Sequence, residues 1–135
     1  MATYLADTSA WHRSGKVEER WEALLEAAEL ATCVPVRLEL LYSARGKKDY
    51  GQLAFDLSRL PQLALAESAE HLALRNQAKL ALRAQHRGPR PLDLLIAAIA
   101  QVHGATLLHY DRHFEQIARL TGQPTEWLAR PGLLG

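Results

Sequence analysis

At 135 residues the chain has room for one domain, spanning 1–135, which can bury about two thirds of its unfolded surface. Its 48% apolar and 23% charged residues belong to a folded globular protein and exclude a disordered tail, a collagen-like fibre or a disulfide scaffold. The net charge of +1 points to no partner by itself.

Taken in chain order, the pattern alternates strand and helix. Thr3–Ala6 reads as a short opening strand. Thr8 and Ser9 offer N-cap hydroxyls for a short helix through Trp11 and Arg13. Residues 17–29 form an amphipathic helix with Val17, Trp21, Leu24, Leu25 and Ala28 on one side. Ala31–Val34 is a second strand, and Pro35 opens a helix over 35–45 that Gly46 ends. A helix over 48–59 follows, then a third strand at Gln62–Ala66 entered from Pro61. The spacing predicts a long helix over 68–86, closed by Gly88-Pro89. Pro91 starts a helix to His103, capped by Gly104, and Ala105–His109 is a fourth strand. A helix over 112–120 and a last strand near Thr125–Leu128 complete the chain. The alternation implies an α/β/α three-layer domain around a central, mostly parallel, four- to five-stranded sheet.

The N-terminal MATYLADTSA has no basic region and no long apolar stretch, so no secretory leader is expected. The longest apolar run, Leu94–Ala100, is far shorter than the roughly 20 residues that cross a bilayer, so no membrane association is expected. The single Cys33 suits a reducing, cytoplasmic setting and excludes a cysteine zinc cage.

Charge is unevenly spread. Residues 71–92 hold Arg75, Lys79, Arg83, Arg87 and Arg90 and no acid. The first four, spaced by four, would form one stripe on a helix. Like charges at that spacing cost a few tenths of a kcal/mol per pair, which a phosphate backbone would offset.

In an open parallel sheet, ligands bind beyond the carboxyl ends of the strands. Asp7 follows the first strand and Asp111 the fourth. Asp93 lies in the first turn of the helix that Pro91 begins, and Glu39 in the first turns of the helix leaving strand two. Four acids thus converge on one rim, where they repel one another. A hard divalent cation, Mg²⁺ or Mn²⁺, relieves that repulsion and suits a phosphate substrate. The histidines give no zinc site, because His109 and His113 straddle a strand end and share no helix face.

These residues carry a resemblance. YLADTSAW around Asp7, VPVRLELLYSARG around Glu39, and RPLDLLIAAIAQVHGATLLHYDRHFEQIA around Asp93 and Asp111 resemble the PIN-domain ribonucleases, most closely the VapC toxins of bacterial type II toxin–antitoxin operons. The resemblance covers the whole chain. It implies that Asp7, Glu39, Asp93 and Asp111 are catalytic, that Asp7, Asp93 and Asp111 hold Mg²⁺, and that Ser9 places a hydroxyl nearby. His113 stands where many relatives carry a further acid, so a second metal lacks that ligand. The resemblance further implies hydrolysis of transfer or ribosomal RNA to 5′-phosphate and 3′-hydroxyl ends, a homodimer, and a small DNA-binding antitoxin of the VapB type.

On this reading Glu39 orients the attacking water, and Arg75, Lys79, Arg83, Arg87 and Arg90 hold the RNA backbone. Trp11 is a candidate base-stacking residue. An antitoxin peptide would lie between the helices at 17–29 and 48–59, on Trp21, Leu24, Leu25, Leu53, Phe55 and Leu57, with an arginine plugging the acids. The alternative is a non-catalytic RNA-binding scaffold of the same fold. A receiver domain would need an acidic pair after strand one, and a dinucleotide-binding domain a glycine-rich loop; neither is present.

Overall fold

Side chains alternate across the central strands and so separate two cores. In the computed structural model, which describes residues 4–135, Leu5 and Leu107 face one side and Ala6 and Leu108 the other. Elements follow in the order β1 (Tyr4–Ala6), α1 (Thr8–Arg13), a 3₁₀ turn (Ser14–Lys16), α2 (Glu18–Glu26), β2 (Leu30–Ala31), α3 (Val34–Tyr42) and α4 (Lys47–Ser58). Then come α5 (Glu67–Ala81), α6 (Pro91–Val102), β3 (Thr106–His109), α7 (Arg112–Thr121) and β4 (Thr125–Trp127). Thr3 of the predicted first strand lies outside the described residues.

The four strands are all parallel, in the order β2-β1-β3-β4. The chain leaves β1 toward β2 on one side and returns as β3 on the other, so the switch point lies between β1 and β3. The larger core packs α6 (Ile96, Ala97, Ala98, Ile99 and Ala100) against β1, β3, α3, α4, α5 and α7. The smaller joins Ala10 and Trp21 to Ala6, Leu108, Tyr110 and Leu128. α6 is buried almost all round, which explains its continuous apolar sequence.

Three expectations change. The third strand, Gln62–Ala66, reduces to a single parallel bridge between Thr32 and Gln62. Pro61 has no N–H to donate, and after Leu63 donates to the Thr32 carbonyl at 2.8 Å the chain turns away toward α5. The helix over 68–86 stops at Ala81. There the Leu80 carbonyl accepts the Gln85 N–H at 2.8 Å, and Ala84 takes a left-handed φ of 56°. The stripe is therefore broken: Arg75 and Lys79 stay on α5, while Arg83 and Arg87 leave it. Arg90 belongs to α6 as its N-cap. Finally, α2 and α4 do not frame a groove. Trp21 and Leu24 pack in the smaller core and Leu53 and Leu57 in the larger, on opposite faces of the sheet.

Candidate active site

The acids gather at the carboxyl edge, where β1 and β3 diverge. Asp7, rather than Thr8 or Ser9, is the N-cap of α1. Its extended backbone lets Oδ2 accept the Ser9 N–H at 3.1 Å and Oδ1 the Ala10 N–H at 3.1 Å. The Ser9 hydroxyl donates to Asp7 Oδ1 at 2.7 Å and accepts the Tyr110 N–H at 2.8 Å. Ser9 thus ties the exit of β1 to that of β3. The Asp7 carboxyl is buried, and burial pushes its pKa up to about 7 against the pull of the Ser9 and Ala10 bonds, with the charge of Asp93 adding to the rise.

Asp93 sits in the first turn of α6, where it reaches back to accept the backbone N–H of Arg90 at 3.0 Å. It too is buried, and burial raises its pKa, with Asp111 adding to the rise. Asp111 is the N-cap of α7 and accepts the His113 N–H at 2.9 Å. Glu39, on the second turn of α3, accepts the Thr8 hydroxyl at 2.6 Å. Glu39 thus finds its partner one residue beyond Asp7.

Arg90, expected on an RNA-binding stripe, instead turns its guanidinium to the acids. Nε lies 3.6 Å from Asp93 and Nη2 3.9 Å from Glu39. Trp11, a candidate for base stacking, packs edge-on against Trp21 with ring centroids 4.8 Å apart.

The tightest group of potential metal ligands among the described residues is Asp93, Asp111 and His113, whose donor atoms lie within 4.8 Å of one another. Asp93 is close enough for its charge to raise the pKa of Asp7, whose oxygens also cap α1, and Glu39 meets the group through Arg90. His113, which stands where many relatives carry an acid, offers a third potential donor, 3.2 Å from Asp111. The residues fit a divalent cation, since two carboxylates and one imidazole suit Mg²⁺ or, with the nitrogen, Mn²⁺.

His109 lies directly behind Asp111, a placement the sequence did not indicate. It is fully buried, and its Nδ1 accepts the Asp111 N–H at 3.1 Å. Its Nε2 meets Glu115 Oε2 at 2.6 Å, and the Thr125 hydroxyl donates to the same oxygen at 2.7 Å. Nothing in the spacing His109-x-Asp111 distinguishes a packed imidazole from a positioning one.

Two clefts of about 580 Å³ flank the acids. One runs between α1, α3 and the start of α6, past Ser9, Leu38, Glu39, Tyr42 and Arg90. The other lies along α7.

The family profile described as PIN domain matches residues 4–120. Ribonuclease VapC18 of Mycobacterium tuberculosis is 40% identical over 135 residues, covering 97% of this chain and 98% of the relative. Ribonuclease VapC51 of the same organism is 39% identical, over 97% and 96%. Among solved structures, DNA-bound VapBC from Salmonella typhimurium superposes with a TM-score of 0.79 at 22% identity, over 96% of this chain and 100% of that one. At such identity the likeness is one of fold.

Proposed function

Because the chain belongs to the PIN-domain family, among its VapC ribonucleases, we propose that it is a Mg²⁺- or Mn²⁺-dependent endoribonuclease and the toxin of a type II toxin–antitoxin pair. It hydrolyses phosphodiesters of transfer or ribosomal RNA, leaving 5′-phosphate and 3′-hydroxyl ends. The observation that carries this reading is the meeting of Asp93, Asp111 and His113 beside buried Asp7, from three separate stretches of sequence at one sheet edge.

Asp7, Asp93 and Asp111 would hold the cation, with His113 beside Asp111 as a further potential donor. When bound, the cation lowers the pKa of a ligating water and offsets charge building on the phosphate. Glu39 orients the attacking water and takes its proton. The bond from Thr8 fixes Oε1, so the carboxylate does not rotate freely. Ser9 holds Asp7 in place through its hydroxyl. Arg90, two-thirds exposed at its side chain, keeps guanidinium N–H groups free to bind the scissile phosphate, while Arg83 and Arg87 hold the backbone farther out.

The antitoxin of the VapB type docks in the cleft of Leu38, Tyr42 and Leu92, beside Glu39 and Arg90. These three apolar side chains are exposed, Tyr42 to 92%, and the active protein is a homodimer. The test of the activity is an RNA cleavage assay in Mg²⁺, Mn²⁺ and EDTA with Asp93→Asn alongside. Cleavage that needs the cation and disappears in the variant is expected; cleavage by the variant at the wild-type rate overturns the site.

A further inference from the structure

The cleft on the α7 side of the acids is lined by Gly88, Arg112, His113, Gln116, Arg119 and Trp127, together with Glu115. The one acid of this lining, Glu115, is engaged away from the cleft. Glu115 turns Oε2 inward to His109 and Thr125, at 2.6 and 2.7 Å. Arg112 and Arg119 are exposed, and neither has an acidic partner within 4 Å among the described residues. Seven residues apart on one helix, they share a face about 10 Å in length.

The opposite wall is the turn after α5. Gly88 lies so close to α7 that an added Cβ would stand 2.4 Å from Gln116 Oε1. The turn and the helix thus form two walls of one cleft. His113, 3.2 Å from Asp111, lines the same cleft and so joins it to the acids. A strand laid across the acids from the Arg90 side therefore continues into a groove of unpaired guanidiniums. Trp127, part-exposed, adds an aromatic wall.

We propose that this groove is the RNA subsite on one side of the cleaved bond, with Arg112 and Arg119 on backbone phosphates of a single strand and Trp127 against a base. The inference rests on the ribonuclease reading above and adds to it where the substrate runs. Phosphate contacts of this kind position a strand and carry no sequence preference, whereas an aromatic wall accepts any base.

The test compares wild type with Arg112→Ala/Arg119→Ala on a single-stranded RNA oligonucleotide, with the cleavage position mapped first. The double variant is expected to raise KM about tenfold with kcat within twofold. It should also flatten the log–log salt dependence of binding by about 1.4, the value for two phosphates on a single strand. RNA shortened on the groove side of the cut should bring wild type to the variant's KM and cost the variant nothing further; shortening on the other side should weaken both equally. If wild type cleaves but KM and salt slope are unchanged in the variant, the groove is no subsite, and the ribonuclease reading stands without it. A loss confined to kcat also overturns it, since the arginines would then act on the chemistry. If wild type cleaves no RNA with either cation, the functional reading itself fails.

Discussion

His109 receives the backbone N–H of Asp111 on Nδ1 at 3.1 Å, in a ring that solvent does not reach. An acceptor Nδ1 requires the neutral ring with its proton on Nε2, and that proton points to Glu115 at 2.6 Å. Burial lowers the pKa of the ring, against the raising effect of Glu115, so the neutral form is the one held. Phe114 and Trp127 pack against it with centroids 5.4 and 4.8 Å away. The conformation that aims Asp111 at the acidic cluster is thus set from behind.

Glu115→Ala leaves the Nε2–H buried without an acceptor. The expected loss of stability is about 1–3 kcal/mol. The loosened Asp111 should weaken Mn²⁺ binding by about 10- to 100-fold, the effect usual for a supporting partner of a ligand. Thermal denaturation measures the first and a Mn²⁺ titration the second. Destabilisation with unchanged Mn²⁺ affinity would reduce His109 and Glu115 to packing.

Asp7 makes the metal-free protein sensitive to pH. Its carboxyl titrates near 7 when folded, against an ordinary value of 3.8. A carboxyl raised in this way holds its proton more tightly in the folded chain. Its contribution to stability is full below about pH 4 and is lost as pH climbs to about 7, a change of the order of 4 kcal/mol. Denaturation in EDTA across that range should show the decline. Asp7→Asn should remove most of it and be at least as stable as wild type above pH 7, because an amide carries no buried charge. Mg²⁺, which requires the ionised carboxylates, should stabilise wild type more at pH 8 than at pH 5. A flat wild-type profile would show that Asp7 titrates normally.

Much of this site could be read from residue order, since an acid within two residues of the end of each of β1 and β3 must lie at the carboxyl edge of a parallel sheet. What could not be read is how the edge is wired. A carboxylate at position 7 displaced the hydroxyls of Thr8 and Ser9 as the cap because its extended backbone puts both oxygens over the first N–H groups. That freed Thr8 for Glu39 and Ser9 for Tyr110. The basic stripe failed for a different reason. Spacing by four continues past Ala81, but Ala84 turns left-handed and ends the helix, and no periodicity records a backbone choice made by one alanine. Arg90 was then carried to the acids by Pro91, which starts α6 and fixes Arg90 as its extended N-cap.

His113 should bias the choice of cation. An imidazole beside two carboxylates favours Mn²⁺ over Mg²⁺, because nitrogen is a better ligand to the transition metal. His113→Ala is expected to narrow the ratio of Mn²⁺ to Mg²⁺ affinity about tenfold, mostly by weakening Mn²⁺. Calorimetric titration of both cations into both proteins decides it. An unchanged ratio would leave His113 outside the coordination sphere, with its 3.2 Å approach to Asp111 a simple ion pair.

Without a cation, Asp7, Glu39, Asp93 and Asp111 draw any arginine that can reach them, because a guanidinium stays charged and bonds carboxylates in pairs. Arg90 already occupies part of that position, 3.6 Å from Asp93 and 3.9 Å from Glu39. An arginine from an inhibitor segment must therefore displace Arg90 or share the acids with it, while its apolar anchors lie on Leu38, Tyr42 and Leu92. Arg90→Ala should bind such a segment more tightly, since a competing cation is gone. Leu38→Asp should bind it less tightly by about tenfold, as an apolar anchor site becomes charged. Added Mg²⁺ should weaken binding to wild type in proportion to its occupancy of the site, and association should slow as salt rises. The measurement is inhibitor affinity across a Mg²⁺ titration, with the segment and its Arg→Ala version. Equal inhibition by the two segments, indifferent to Mg²⁺, would place the antitoxin contact away from the acids.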